Sequence, residues 1–251
     1  MNGMLIYPLG KTPACRFCGS VLEASGISLV DHPTPEITHL LLDVPAFADD
    51  GSLRSGGSLT DLLRMLPPEI TVVGGNLKHP ALESYGVLDF LQDEGYLAAN
   101  AAITAECALQ VAAQQMQCVF AGLPVLVIGW GRIGKCLGQL LSSIGARVTF
   151  AARKKSDLAM LRALGYRAVA MDHIREALGK QRLVFNTAPA RILSETETSG
   201  PSCLYVDLAS VPGMEGPRVI HARGLPGMHK PESTGVLMAQ TFLRLSREET
   251  I

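Results

Sequence analysis

Apolar positions along the chain fall into two rhythms. Short apolar runs bounded by Pro, Gly or Asp predict strands at residues 4–9, 27–30, 39–44 and 70–73. Residues 15–25 predict a helix that Gly26 stops, and residues 88–91 a further short element. Between them, residues 48–58 are polar and hold Gly51, Gly56 and Gly57, which predicts a mobile loop. Residues 1–99 therefore read as a small α/β domain on the substrate side. Residues 100–120 contain neither Gly nor Pro and are rich in Ala, Gln and Met. They predict one long helix, capped by Asn100 or Thr104 and ending before Gly122, in the position of a linker over 100–121.

The pattern changes after the linker. Residues 124–128 are a continuous apolar strand, followed at once by Gly129-Trp130-Gly131-Arg132-Ile133-Gly134. A helix over 135–144, apolar at Leu137, Leu140, Leu141 and Ile144, stops at Gly145, and a second strand spans 147–152. Further strands at 182–186, 203–207 and 219–223 each run into a turn, the last into Gly224-Leu225-Pro226-Gly227. Alternating strands and helices predict a doubly wound parallel sheet over 122–232. A last helix over 235–245, capped by Ser233 or Thr234, is expected to pack back on the linker, within a closing segment 233–251.

The glycine pattern carries chemistry because of where it stands. Between a strand and a helix, Gly129 permits the tight turn, Gly131 lets a pyrophosphate approach the backbone, and Gly134 lets helix and strand pack closely. The helix start aims N–H groups and a partial positive charge at the phosphates. The end of the second strand bears on the choice of cofactor. NAD sites place Asp or Glu there for the ribose hydroxyls, whereas this chain reads Ala152-Arg153-Lys154-Lys155-Ser156. Arg153, Lys154 and Ser156 suit a 2′-phosphate, which favours NADP, with NAD as the alternative. In doubly wound sheets ligands sit at the carboxyl ends of the strands. Thr187, Ala188, Pro189, Asp207, Leu208, Ala209, Ser210 and Gly227 are therefore expected on the cofactor side.

Composition narrows the class. The chain has 251 residues, 47% of them apolar and 18% charged, too apolar for a disordered protein. Net charge is −1, which argues against a nucleic-acid partner, but it is divided. Residues 1–121 hold 5 Lys or Arg and 13 Asp or Glu, a net of −8; residues 122–251 hold 17 and 10, a net of +7. A basic half suits a small polyanion. Of six cysteines only Cys15 and Cys18 form a CxxC, with no second pair or HxxxH to complete a zinc site, so no metal is expected. Residues 1–4 lack a charged signal region, 5–9 are too short for its apolar core, and no run reaches the ~18 apolar residues of a membrane span. The expectation is a soluble cytoplasmic protein.

Several segments together resemble one family. Gly129-Trp-Gly-Arg-Ile-Gly134, Ala152-Arg153, Asn186-Thr-Ala-Pro189, Asp207-Leu-Ala-Ser-Val-Pro-Gly213 and Gly224-Leu-Pro-Gly227 with Pro231-Glu-Ser-Thr-Gly235 are similar to the family of the dipicolinate synthase A subunit, as is Asn100-Ala-Ala-Ile-Thr-Ala-Glu106. The resemblance covers about residues 95–245 and implies two Rossmann-like domains. It also implies NADP-linked oxidation of a dihydrodipicolinate-type precursor to dipicolinate, beside a flavoprotein-like B subunit, during sporulation. Aromatising a dihydropyridine removes a hydride and a proton. Glu106 and His229 are candidate proton acceptors, and Asn100, Thr104, Arg191 and Lys230 candidate partners for a small dicarboxylate substrate. A homo-oligomer is a further expectation. Two other readings stay open: a non-catalytic NAD(P)-binding subunit or sensor, and a diverged 2-hydroxyacid-type dehydrogenase.

Overall fold

The computed structural model describes residues 3–199 and 203–248. Met1 and Asn2, part of the segment read for a signal peptide, and residues 249–251 of the expected closing segment lie outside them. The chain forms two compact units, Met1–Asn100 with Pro226–Ile251, and Ala101–Leu225.

The first unit begins with β1 (Leu5–Pro8), α1 (Pro13–Ala24), β2 (Ser28–Leu29), β3 (His39–Leu41), α2 (Leu59–Met65), β4 (Thr71–Gly74) and β5 (Gly86–Asp89). Its five strands are all parallel, in the order β2-β1-β3-β4-β5. This is one of the two common doubly wound orders. Both faces are covered, so the strands are apolar on both sides. Ile6, Leu41 and Val73 pack with Leu22 of α1 on one face, and Leu40, Leu42 and Val72 with Leu62 and Leu63 of α2 on the other. Residues 48–58 are a series of hydrogen-bonded turns where mobility is expected from the glycines. The Ala48 N–H donates to the Ser52 carbonyl, and that of Arg54 to the Ala46 carbonyl. Ser58 ends the segment by capping α2, its Oγ accepting from the Asp61 N–H at 3.2 Å.

The long helix, α3 (Glu94–Gln115), starts six residues before the predicted linker and ends five residues before residue 120. Its cap is Asp93, rather than Asn100 or Thr104: the carboxylate accepts from the Tyr96 N–H at 2.6 Å and the carbonyl from the Leu97 N–H at 2.9 Å. A glycine in the first turn, Gly95, hides this start from a propensity reading.

The second unit continues with β6 (Pro124–Ile128), α4 (Arg132–Ser143), β7 (Arg147–Ala152), α5 (Lys155–Ala163), β8 (Arg167–Ala170), α6 (Ile174–Leu178), β9 (Leu183–Asn186), α7 (Glu195–Thr198), β10 (Leu204–Asp207) and β11 (Val219–His221). The six strands are parallel, in the order β11-β10-β9-β6-β7-β8. Numbered within the unit this is 3-2-1-4-5-6 read from the β8 edge, the Rossmann order. Val125, Val127 and Phe150 pack with Ala108 of α3 and Leu137 and Leu141 of α4 on one face. Leu126, Ile128, Ala151 and Val184 pack with Ile174 of α6 on the other.

The chain returns to the first unit through α8 (Leu225–His229) and α9 (Pro231–Glu248). The second unit therefore ends at Leu225, seven residues before the 232 read from the sequence. Helix α9 opens at Pro231, before Ser233 and Thr234, because proline suits a first helical turn. It lies along α1, where a Cβ on Gly235 would stand 2.5 Å from the Ala14 carbonyl oxygen. Its tie to α3 is an ion pair, Arg244 to Asp93 at 2.6 Å. Partial burial pushes the Asp93 carboxyl up, but the Tyr96 N–H and Arg244 outweigh it and hold its pKa below the ordinary value. A depressed carboxylate stabilises the fold above its unfolded pKa, and that contribution is lost as pH falls through the folded value. Asp93→Ala is expected to cost about 1–2 kcal/mol, the loss of a helix cap and an ion pair. Urea unfolding at neutral and at acid pH checks this, and the difference from the parent should shrink in acid.

Among the described residues no helix is long and apolar enough to cross a membrane.

Candidate functional site

At the point where the strand order of the second unit reverses, β6 and β9 lie side by side. The crevice outside the carboxyl ends of such a strand pair is where doubly wound sheets hold ligands. Gly129 leaves β6 with φ of +102°, a region that favours glycine. A Cβ there would stand 2.5 Å from Thr187 Oγ1, and one on Gly134 would stand 2.4 Å from the Gly129 carbonyl oxygen. The turn is thus closed on both sides by backbone and by Thr187, whose hydroxyl donates to the Ile128 carbonyl at 2.9 Å.

Gly131 differs. It is the N-cap of α4, no side chain caps that helix, and a Cβ placed on Gly131 would meet nothing within 4 Å. The first N–H groups of a helix have no carbonyl behind them. Open space in front of such donors fits a pyrophosphate. Arg132 is exposed, while the Ile133 and Trp130 side chains turn back against the core. Trp130 meets the Phe150 ring edge-on at 4.8 Å, with Lys135 Nζ 5.7 Å from its centroid. Trp130 and Ile133 thus present only part of their side chains to the outside of the turn.

Arg153 and Lys154 form the connection from β7 to α5. Lys154 is the N-cap of α5 and makes no capping hydrogen bond; Lys155 and Ser156 follow in the first turn. All four are exposed. Cations at a helix N-terminus oppose the helix dipole. A phosphate bound there would reverse that sign.

The carboxyl end of β10 departs from the expectation. Asp207 is 1% exposed. One carboxylate oxygen accepts from Asn186 Nδ2 at 2.9 Å and the Ala209 N–H at 3.1 Å. The other accepts from the N–H groups of Gly213 at 2.7 Å and Met214 at 3.0 Å. Asp207 thus holds the loop that follows it. Leu208 and Ala209, the first residues of that loop, are buried. Asn186, fully buried, accepts from the Ala188 N–H at 3.0 Å and donates to the Ala188 carbonyl at 3.2 Å, fixing the turn of Thr187, Ala188 and exposed Pro189. Asn186 is absent from the candidates drawn from sequence. Its signal was a polar residue closing an apolar strand.

The remaining candidates divide between the units. Thr104 is buried in the second unit and Glu106 is exposed on α3. Arg191 is exposed and pairs with Glu215 at 2.7 Å, so its charge is already met. In the first unit Asn100, Gly227, His229 and Lys230 are half-buried.

The first unit has a switch point of its own, between β1 and β3. Asp43, 3% exposed, accepts there from the Lys11 N–H at 3.1 Å, the Thr12 N–H at 3.0 Å and the Thr12 hydroxyl at 2.7 Å. Asp89, at the end of β5, likewise accepts from the N–H groups of Asn76, Leu77 and Leu91. Cys15 and Cys18 are buried in α1, and burial pushes the Cys18 thiol up to about 12, which makes it unreactive. Among the described residues no group of three or more His, Cys, Asp or Glu could hold a metal ion.

A Rossmann sheet with a glycine turn at its switch point, joined to a second all-parallel unit, defines a protein with the dinucleotide-binding fold of oxidoreductases. Comparison with known proteins then narrows the class. No family model matches the chain. The A subunit of dipicolinate synthase from Bacillus subtilis (strain 168) is 30% identical over 159 residues, 59% of this chain and 54% of that protein. The match thus spans about half the length of the curated relative. The crystal structure of the dipicolinate synthase A subunit from Bacillus halodurans has a TM-score of 0.85 at 18% identity, covering 97% of both chains. That of the A chain from Bacillus subtilis has 0.82 at 22%, covering 99% of this chain and 97% of that one. An L-alanine dehydrogenase shares the fold at 0.59 and 13%, over 97% of this chain and 89% of its own. Sequence and fold together support the family that the motifs resemble, that of the dipicolinate synthase A subunit.

Proposed function

We propose that the protein is an NADP-dependent oxidoreductase that converts a dihydrodipicolinate-type precursor to dipicolinate. The observation that carries the reading is the glycine turn: open space before uncapped N–H groups at the start of α4, at the switch point of a Rossmann sheet. Bound NADP+ supplies the hydride acceptor. The α4 N-terminus would hold the pyrophosphate, and Arg153, Lys154 and Ser156 the 2′-phosphate. Thr187, Ala188 and Pro189 would border the nicotinamide side. Asp207, Leu208 and Ala209 support that border from beneath, since the carboxylate is taken up by its own loop. Gly227 is the further candidate on the cofactor side.

The ring must also lose a proton. Glu106 and His229 are the candidate acceptors, and Asn100, Thr104, Arg191 and Lys230 the candidate partners for the substrate carboxylates. Of these, Arg191 would have to release Glu215 to serve. The 30% identical relative is by name one component of a multi-subunit synthase, which supports a partner here too, a flavoprotein-like B subunit. A role in sporulation, a cytoplasmic location, self-association and the division 1–99, 100–121, 122–232 and 233–251 belong to the same proposal. In that division the glycine turn, the basic strand end and the Asn186–Asp207 pair all fall within 122–232.

Turnover tests the reading. Purified protein, alone and with the B subunit, should reduce NADP+ when given a dihydrodipicolinate-type substrate, read by the absorbance of the reduced nicotinamide. Binding without reduction under every condition would favour the non-catalytic sensor. Arg153→Glu should reverse the cofactor preference, weakening NADP+ by about 10-fold or more through repulsion of its 2′-phosphate. Calorimetry with both cofactors reads this; an unchanged ratio would place the 2′-phosphate elsewhere.

A further inference from the structure

On one face of the second unit's sheet the helical cover of β7 and β8 is short. Strand β7 has six residues and spans about 20 Å. The helix over that face, α6, has five and spans about 7.5 Å. Its Ile174 packs with Leu126, Ile128, Ala151 and Val169. Alternation places Arg147 and Thr149 of β7 and Arg167 of β8 on the same face as Ala151 and Val169, nearer the amino ends of their strands. A cavity of about 1070 Å³ opens at these amino ends, lined both from this face and from α5 and the β8 edge. Parallel sheets are ordinarily covered on both faces.

The lining of this cavity is cationic. Arg147, Arg162, Arg167 and Lys180 all contribute to it. Among the described residues Arg162, Arg167 and Lys180 make no ion pair. Arg147 commits only Nε, which donates to the Gly122 carbonyl at 2.8 Å. The acid on the wall, Glu176, faces His173 at 3.2 Å. Gln181 Nε2 donates to the Ala177 carbonyl at 3.0 Å, while its Oε1 is buried without a partner among the described residues. Four cations around one concavity repel each other, and an anion between them removes that cost.

We propose that this cavity is a second ligand site, at the amino ends of the strands and so separate from the glycine turn at their carboxyl ends. Its ligand is a small polyanion with two or more carboxylate or phosphate groups. Guanidinium forks pair with either group through two parallel hydrogen bonds, and Lys180 adds a point charge.

Calorimetric titration of the full chain with citrate, and separately with inorganic tripolyphosphate, tests this. Saturable binding of one or both is expected, weakened about tenfold or more in the double variant Arg167→Gln, Lys180→Gln. The melting temperature should not fall, since both side chains are exposed and their removal relieves repulsion. The same binding should survive Gly131→Glu, which blocks the glycine turn; this separates the cavity from the proposed cofactor site and from the fate of that proposal. No saturable binding, binding that the double variant leaves intact, or binding lost in Gly131→Glu would each overturn the assignment. So would a double variant that binds neither anion less tightly but changes the sedimentation of the protein, which would make the cavity a protein-docking face.

Discussion

Gly131→Glu is expected to abolish dinucleotide binding while leaving the fold intact. At Gly131 φ is −82°, within reach of any residue. A Cβ there touches nothing within 4 Å, so the substitution strains nothing in the protein alone. The new carboxylate would stand where we propose that the pyrophosphate binds, in front of the N–H groups at the start of α4. It would fill the space and bring a negative charge against another. Affinity should fall about 100-fold or more, which is roughly 2.7 kcal/mol or more. The melting temperature should stay within a degree or two of the parent, or rise, since an acid suits a helix N-terminus. Gly134→Val makes the contrast. Its Cβ would meet the Gly129 carbonyl oxygen at 2.4 Å, so stability and binding should fall together. Calorimetry and thermal unfolding on the two variants read both effects. Unchanged affinity in Gly131→Glu would mean that the dinucleotide does not approach this turn.

Asp207→Ala is expected to be the most destabilising single truncation in the second unit. The carboxylate is buried and accepts from Asn186 Nδ2 and from the N–H groups of Ala209, Gly213 and Met214. Removing it strands four donors, each costing about 1–3 kcal/mol when left unsatisfied in the interior. Water entry and loop relaxation recover part of this, so the net loss should be about 3–5 kcal/mol. Asp207→Asn should cost less, because the amide oxygen still serves one pair of donors while its NH2 faces the other. Urea unfolding gives the order: parent, Asn variant, Ala variant. A loss below about 1 kcal/mol for Asp207→Ala would show that the 208–214 loop is held some other way.

Buried parallel strands were the most legible part of the chain. Residues 124–128 and 147–152 coincide with β6 and β7, because strands buried on both faces read as continuous apolar runs. The glycine turn was legible too, since Gly129 and Gly134 each answer a local steric demand. Strand β8, Arg167–Ala170, is a short edge strand with no buried residue, so it has no apolar run to show. Helices α5 and α6 escaped for a similar reason: each is short and buries only one or two side chains. The order 2-1-3-4-5 in the first unit depends on pairings between distant segments, which no local pattern encodes.

Asp207 shows the limit at the candidate site. An acid at a strand end is visible in the sequence. Which way its lone pairs turn is not, for that depends on where the backbone of residues 209–214 aims its N–H groups. Asp43 and Asp89 repeat the device in the first unit, each holding a turn beyond a strand. At the basic end of β7, by contrast, Arg153 and Lys154 are exposed and find no partner among the described residues, so no internal hydrogen bond competes with the role proposed for them.

Calorimetric titration of the full chain with NADP+ and with NAD+ tests most directly whether the glycine turn of the second unit holds a nicotinamide dinucleotide and whether Arg153 and Lys154 choose its form. Saturable binding of both is expected, with NADP+ the tighter by about tenfold, roughly 1.4 kcal/mol. Tighter binding of NAD+ would contradict the reading of the basic strand end, and binding of neither would contradict the dinucleotide site itself.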